Sequence, residues 1–86
     1  MYETPITGLV LSGGGARAAY QVGVLRAIAR LRRSTAASPR RSPFGVICGT
    51  SAGAINAAAL ACNADQFDAA VEGLARVWEN FRVEQV

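Results

Sequence analysis

The sequence predicts an α/β fold with a mainly parallel sheet, and three observations support this prediction. A short apolar run from Ile6 to Leu11 (ITGLVL) ends at glycines, which is typical of a buried strand. A segment with helical spacing follows. A second short apolar run, Phe44 to Cys48 (FGVIC), then predicts another strand. Strand, helix and strand in this order form a crossover unit whose two strands run parallel.

The helix of this unit is predicted over Ala16 to Arg33. Its apolar face comprises Val24 or Leu25, Ile28 and Leu31, and arginines lie on another face. Two prolines and small polar residues then predict a loop from Ser34 to Pro43.

A sharp turn at Gly49 to Gly53 follows the second strand. The alanine-rich segment from Ala54 to about Asn63 predicts a helix buried on most sides. Asp65 is the predicted N-cap of a last helix. That helix carries one apolar stripe, interpreted as core, of Phe67, Val71, Leu74, Trp78 and Phe81.

Length and composition indicate one small domain with a thin core. The chain has 86 residues, of which 51% are hydrophobic, and a formal net charge of +3. A chain this apolar and this short is expected to present faces that pack against more protein. We therefore interpret residues 1–86 as part of a larger domain, and expect self-association through sheet edges and the stripe of the last helix.

All nine basic residues are arginines, and six of them form a basic cluster: Arg26, Arg30, Arg32, Arg33, Arg40 and Arg41. Such a cluster suits phosphates of nucleic acid or lipid headgroups, or is simply a solvated helix end and loop. No aromatic residues interleave with these arginines, so nucleic acid is not an expected partner.

The N-terminal residues MYETPIT have no basic or apolar segment typical of a signal peptide. Cys48 and Cys62 are too few for a disulfide scaffold and are predicted to be buried free thiols, as in a reducing compartment. Glycines and polar residues interrupt the uncharged stretch Phe44 to Ala64, which favours strand plus helix over a membrane span. A cytoplasmic location is expected.

The strongest chemical motif is Gly49-x-Ser51-x-Gly53 between the second strand and a helix. This pattern is typical of a nucleophile elbow, in which a serine on a strained turn projects its hydroxyl beyond the sheet. Small flanking residues let strand and helix pass closely. The alternative is a plain glycine turn in which Ser51 caps a helix.

A second motif, Gly13-Gly14-Gly15-Ala16-Arg17, follows the first strand. Successive glycines can direct backbone N–H groups at an oxyanion without obstruction by side chains. Loops after parallel strands open on the same edge, so these glycines and Ser51 are predicted to converge. A cation at Arg17 opposes the helix dipole, and this residue could hold the loop, face substrate charge or be solvated.

The same glycines also fit a dinucleotide fingerprint, Gly13-x-Gly15-x-x-Ala18. An NAD site needs an acidic residue at the end of the second strand, and none occurs between Glu3 and Asp65. An NADP-binding module therefore stays open as an alternative.

No base for Ser51 is found in the chain. There is no histidine, so a Ser-His-Asp triad cannot form. Glu3 precedes the first strand, and Asp65 is separated from Ser51 by a helix of about 18 Å. The remaining carboxylates lie on the last helix or beyond it: Asp68, Glu72, Glu79 and Glu84.

Three segments together resemble bacterial patatin-like phospholipases over nearly the whole chain. They are Leu11 to Arg17 (LSGGGAR), Tyr20 to Leu25 (YQVGVL) and Gly49 to Asn56 (GTSAGAIN). Ala18 departs from the family, which commonly has glycine at this position.

The resemblance implies a three-layer α/β/α fold, of which this chain is the N-terminal part, and a Ser-Asp dyad acting on acyl esters of glycerolipids. Ser51 would be the nucleophile, Gly13, Gly14 and Gly15 would form the oxyanion hole, and Arg17 would support that loop. The dyad aspartate would belong to a downstream Asp-Gly-Gly or Asp-Gly-Ala motif that this chain lacks. The implied partner is a lipid or phospholipid substrate, with peripheral membrane contact and neither cofactor nor metal. A non-catalytic scaffold with the same fold is a further alternative.

Overall fold

The computed structural model describes residues 6–34 and 41–80 and confirms the α/β fold class. In chain order the elements are β1 (Gly8–Leu11), α1 (Gly15–Ser34), β2 (Val46–Gly49), α2 (Ala52–Cys62) and α3 (Phe67–Glu79). Both strands are shorter than predicted at their amino ends, whereas α1 and α2 begin slightly earlier than predicted. Residues 35–40 of the predicted loop lie outside the described residues.

β1 and β2 form a parallel pair, with Gly8 opposite Val46 and Leu11 opposite Gly49. α1 is the crossover that connects them, as the sequence predicts. Because the strands are parallel, their carboxyl ends lie at the same edge of the sheet. The segment 12–14 and the turn 50–51 therefore leave from that one edge.

The helices cover one face of this sheet. Leu9, Leu11 and Ile47 pack into the core with the helices, which also contact one another. Side chains alternate along a strand, so Val10 points to the other face, where it is 80% exposed. Of the three expected layers, the described residues form the sheet and one helical layer.

Cys48 lies on the uncovered sheet face, and both Cys48 and Cys62 are exposed free thiols. The prediction that they are buried was wrong, because an apolar sequence around a cysteine does not reveal which face of its element is covered.

Phe67 lies at the centre of the core with no exposed surface. Phe67, Val71 and Leu74 of the predicted stripe are buried, Trp78 is partly buried against them, and Phe81 lies outside the described residues. The stripe is therefore core. It offers little surface for the self-association predicted from it, whereas the uncovered sheet face does expose apolar side chains.

Burial partly corrects the predicted face of α1. Leu25 is buried and Ile28 packs against the core, as predicted, but Leu31 is exposed. The buried residues are Ala18, Val22, Leu25 and Ala29, whereas Val24 and Leu31 are 44% and 65% exposed. α1 packs closely against α3, and two of the four buried residues of α1 are alanines, whose small side chains leave room for close packing. A prediction from hydrophobicity alone places the larger side chains of Val24 and Leu31 in the core in preference to alanines.

Two details of α2 and α3 also differ from the predictions. α2 is buried along one side only, through Gly53, Asn56, Ala57 and Leu60, because the described elements pack against it from one direction. The N-cap of α3 is Gln66 rather than Asp65, and it makes no side-chain capping bond. Instead, the Gln66 N–H donates to the Asn63 carbonyl at 2.9 Å and closes a turn.

Ion pairs join α1 to α3 along their exposed side. Arg26 contacts Glu72 at 3.1 Å and Glu79 at 3.5 Å, and Arg33 contacts Asp68 at 3.1 Å. The two Arg26 pairs are well exposed and Asp68 is only partly so; such surface pairs contribute about 0.2–1 kcal/mol each. They fix the register between the helices more than they stabilise the fold.

We predict that Phe67→Ala lowers the free energy of unfolding by about 3–5 kcal/mol, because it leaves a cavity among packed helices. The matched control is Val77→Ala on the same helix, where the side chain is 47% exposed and the expected loss is about 0.5 kcal/mol. Urea denaturation followed by circular dichroism measures both. Equal losses would contradict the position of Phe67 in the core.

Candidate active site

The loops that follow β1 and β2 meet at one edge of the sheet. The Thr50 N–H donates to the Leu11 carbonyl at 3.1 Å. A Cβ atom placed on Gly13 would lie 3.0 Å from Ser51 Cβ and 3.7 Å from Ser51 Oγ. The segment 12–15 is called the glycine loop below. Its predicted approach to Ser51 is therefore observed at Gly13. Gly14 follows at φ 104°, and Gly15 is the first residue of α1.

Ser51 occupies a strained turn. It has φ 55° and ψ −126°, and among the described residues it alone has positive φ without being glycine. Such a conformation costs about 1–3 kcal/mol and is concentrated at functional sites. Ser51 is exposed and makes no side-chain capping bond to α2. The simple helix-cap alternative is therefore disfavoured.

Gly49 and Gly53 flank Ser51 where backbone segments come too close for any side chain. A Cβ on Gly49 would lie 2.6 Å from the Gly53 carbonyl carbon and 2.9 Å from Ala54 Cα. A Cβ on Gly53 would lie 2.6 Å from the Ser12 carbonyl oxygen. Because Gly49 has no side chain, β2 can lie directly against the start of α2. The lack of a side chain at Gly53 likewise lets α2 lie against the end of β1.

A series of hydrogen bonds between side chains of the three helices ends at the glycine loop. Gln21 Nε2 donates to the Ser12 carbonyl at 3.0 Å and lies 3.5 Å from Ser12 Oγ. Asn56, which has no exposed surface, donates to the Ala18 carbonyl at 3.3 Å and lies 3.5 Å from Gln21 Oε1. Trp78 Nε1 donates to Asn56 Oδ1 at 2.8 Å.

The sequence interpretation placed Trp78 in the apolar stripe and gave no hydrogen-bonding role to Gln21, Asn56 or Trp78. The signals available were the position of Gln21 and Asn56 within two of the family-like segments, and the single amide of Asn56 in an alanine-rich segment. A buried polar residue in such a segment needs hydrogen-bond partners, but the sequence does not say where they lie.

Arg17 is exposed near Gly14, whose hypothetical Cβ would lie 3.6 Å from Arg17 Cβ. The side-chain hydrogen bond found to the glycine loop comes from Gln21 rather than from Arg17. Support of the loop by Arg17 stays a prediction.

Three described carboxylates are engaged away from Ser51. Asp68 pairs with Arg33, and Glu72 and Glu79 pair with Arg26. Asp65 lies in the turn beyond the far end of α2. Glu3 and Glu84 lie outside the described residues. Within residues 6–34 and 41–80, the structure therefore brings no base to Ser51.

Residues 6–34 and 41–80 contain no group of three or more His, Cys, Asp or Glu side chains able to hold a metal ion. Nor does any helix within them have the length and apolar character needed to cross a membrane.

Comparison with known proteins identifies one family. The family model described as patatin-like phospholipase matches residues 9–86. No match was found among curated proteins, and none among solved structures.

We predict that Gly53→Ala severely destabilises the protein, because the new methyl group would meet the Leu11 and Ser12 backbone, which cannot move aside. Gly23→Ala on α1 is the matched control. A Cβ at Gly23 meets nothing within 4 Å, so alanine there should stabilise the helix by about 0.5–1 kcal/mol. Thermal unfolding distinguishes the two, and equal melting temperatures would contradict the close approach at Gly53.

Proposed function

Because the chain belongs to the patatin-like phospholipase family, a family of lipid acyl hydrolases, we propose that it carries the nucleophile of a serine hydrolase that cleaves fatty-acyl esters of glycerolipids. The observation that carries this proposal is the contact between Gly13 and Ser51 at the carboxyl edge of the sheet. An ester bound beside Ser51 is proposed to meet the hydroxyl at its carbonyl carbon and the glycine backbone at its carbonyl oxygen.

The proposed first step is attack of Ser51 Oγ on the ester carbonyl carbon. The serine proton passes to a base, and negative charge develops on the carbonyl oxygen as the tetrahedral intermediate forms. The amides of Gly13, Gly14 and Gly15 are proposed to stabilise that charge. α1 and α2 both begin at this edge, so the positive ends of two helix dipoles favour the same anion.

The proposed base is an aspartate of a Ser-Asp dyad, supplied by polypeptide downstream of Val86. Support comes from the ion pairs of Asp68, Glu72 and Glu79 with α1, which occupy the carboxylates of α3. A base must lie within about 3 Å of the hydroxyl or act through one water. Residues 1–86 alone are accordingly proposed to be inactive.

Lipid contact is proposed at the edge that carries Ser51. α1 rises about 1.5 Å per residue, so Arg33 lies about 27 Å along the helix from Gly15. The arginines in the last turns of α1 are therefore remote from the reacting groups. Binding of a membrane through these arginines would not bring Ser51 to an ester, so they are proposed to form a solvated surface, in which Arg33 pairs with Asp68. NADP binding receives no support from the family match.

We predict that a fluorophosphonate labels the full-length protein at Ser51 and that Ser51→Ala abolishes labelling, since phosphonylation requires an activated serine. Ser34→Ala is the matched control. That exposed serine caps its own helix, donating to the Leu31 carbonyl at 2.7 Å, so its removal should leave labelling unchanged. Mass spectrometry of the labelled peptide measures both. Undiminished labelling of Ser51→Ala would exclude Ser51 as the nucleophile.

A further inference from the structure

The amides of Asn56 and Gln21 have a single consistent orientation. The Trp78 indole can only donate a hydrogen bond, so Asn56 Oδ1 must face it, at 2.8 Å. The Asn56 Nδ2 donors then face the Ala18 carbonyl and Gln21 Oε1. Gln21 Nε2 is consequently left to face the Ser12 carbonyl at 3.0 Å.

The reverse orientation of either amide is unfavourable. A flipped Asn56 would oppose its NH₂ group to the indole N–H and its oxygen to the Ala18 carbonyl. Asn56 is fully buried, so no solvent would relieve that mismatch. A flipped Gln21 would oppose its oxygen to the Ser12 carbonyl. The donor-to-acceptor direction of this series of hydrogen bonds is therefore set at its two ends. The Trp78 indole can only donate, and the Ser12 carbonyl can only accept.

The Ser12 carbonyl belongs to the same peptide plane as the Gly13 N–H. In a planar trans peptide these two groups point in opposite directions, so a hydrogen bond that fixes one also fixes the other. Glycines have the largest backbone freedom of all residues, and three follow in succession here. An amide that must stabilise a transient charge is effective only when it is oriented in advance.

We infer that Gln21 is a positioning residue for the Gly13 amide, and that Asn56 and Trp78 fix the orientation of Gln21. This inference rests on the proposed function, because it gives the Gly13 amide a role in ester cleavage. Gln21 bonds the carbonyl side of the Ser12–Gly13 peptide and acts on the Gly13 amide through that peptide. The glycine loop is thereby connected to α3, which carries Trp78 and lies on the opposite side of Asn56.

Gln21→Met in the full-length protein tests the inference. Methionine keeps the length of the side chain but cannot donate, and Asn56 retains its bond to the Ala18 carbonyl, so the fold should persist. We expect kcat for a soluble ester to fall about tenfold or more, because a donor to the transition state is misaligned, while KM stays unchanged. Arg30→Met, an exposed change on the same helix, is the control and should alter neither constant.

Trp78→Phe is the second variant, because it keeps an aromatic ring in the core and removes the indole N–H that orients Asn56. We expect a smaller fall in kcat, again with KM unchanged. An unchanged kcat in folded Gln21→Met, while the unmodified protein is labelled by a fluorophosphonate at Ser51, overturns the positioning role. If Gln21→Met does not fold, an unchanged kcat in Trp78→Phe overturns it instead. Absence of Ser51 labelling in the unmodified protein overturns the proposed function.

Discussion

Two backbone segments approach each other at Gly53 so closely that no side chain fits between them, and this contact positions both loops of the site. The first turn of α2 lies against the carbonyl groups at the end of β1, and a single methyl group at Gly53 would prevent this. The hydrogen bond from the Thr50 N–H to the Leu11 carbonyl holds the same two segments together. Since β1 and β2 are parallel, this contact brings the loops after both strands to one place.

The strain at Ser51 follows from the same contact. β2 must end and α2 must begin within a few residues, and Gly49 already passes close to the backbone of α2. Ser51 absorbs the change of direction with a positive φ, which leaves its side chain exposed rather than capping the helix. Stability lost in this turn is offset by the packed core around Phe67.

α3 contributes to the site although it is remote in sequence. Its apolar side completes the core, its carboxylates pair with arginines of α1, and Trp78 bonds the buried amide of Asn56. The carboxylates of α3 that form these ion pairs, Asp68, Glu72 and Glu79, are thereby held against α1. In the proposed reaction this chain therefore supplies a hydroxyl and a set of backbone amides, and the base comes from elsewhere in the polypeptide.

The order of strands and helices, the α/β class and the two glycine motifs could be predicted from the sequence, because glycine spacing and apolar periodicity are local properties. The apolar stripe of α3 was also predicted, but the buried side of α1 was predicted only in part: Leu31 is exposed, and Ala18 and Ala29 are buried. The convergence of Gly13 and Ser51 was predicted from the parallel strands, whereas the hydrogen-bonded chain of Gln21, Asn56 and Trp78 became visible only in the folded structure. These contacts join residues far apart in sequence, and their partners depend on how the helices pack, which no local pattern encodes.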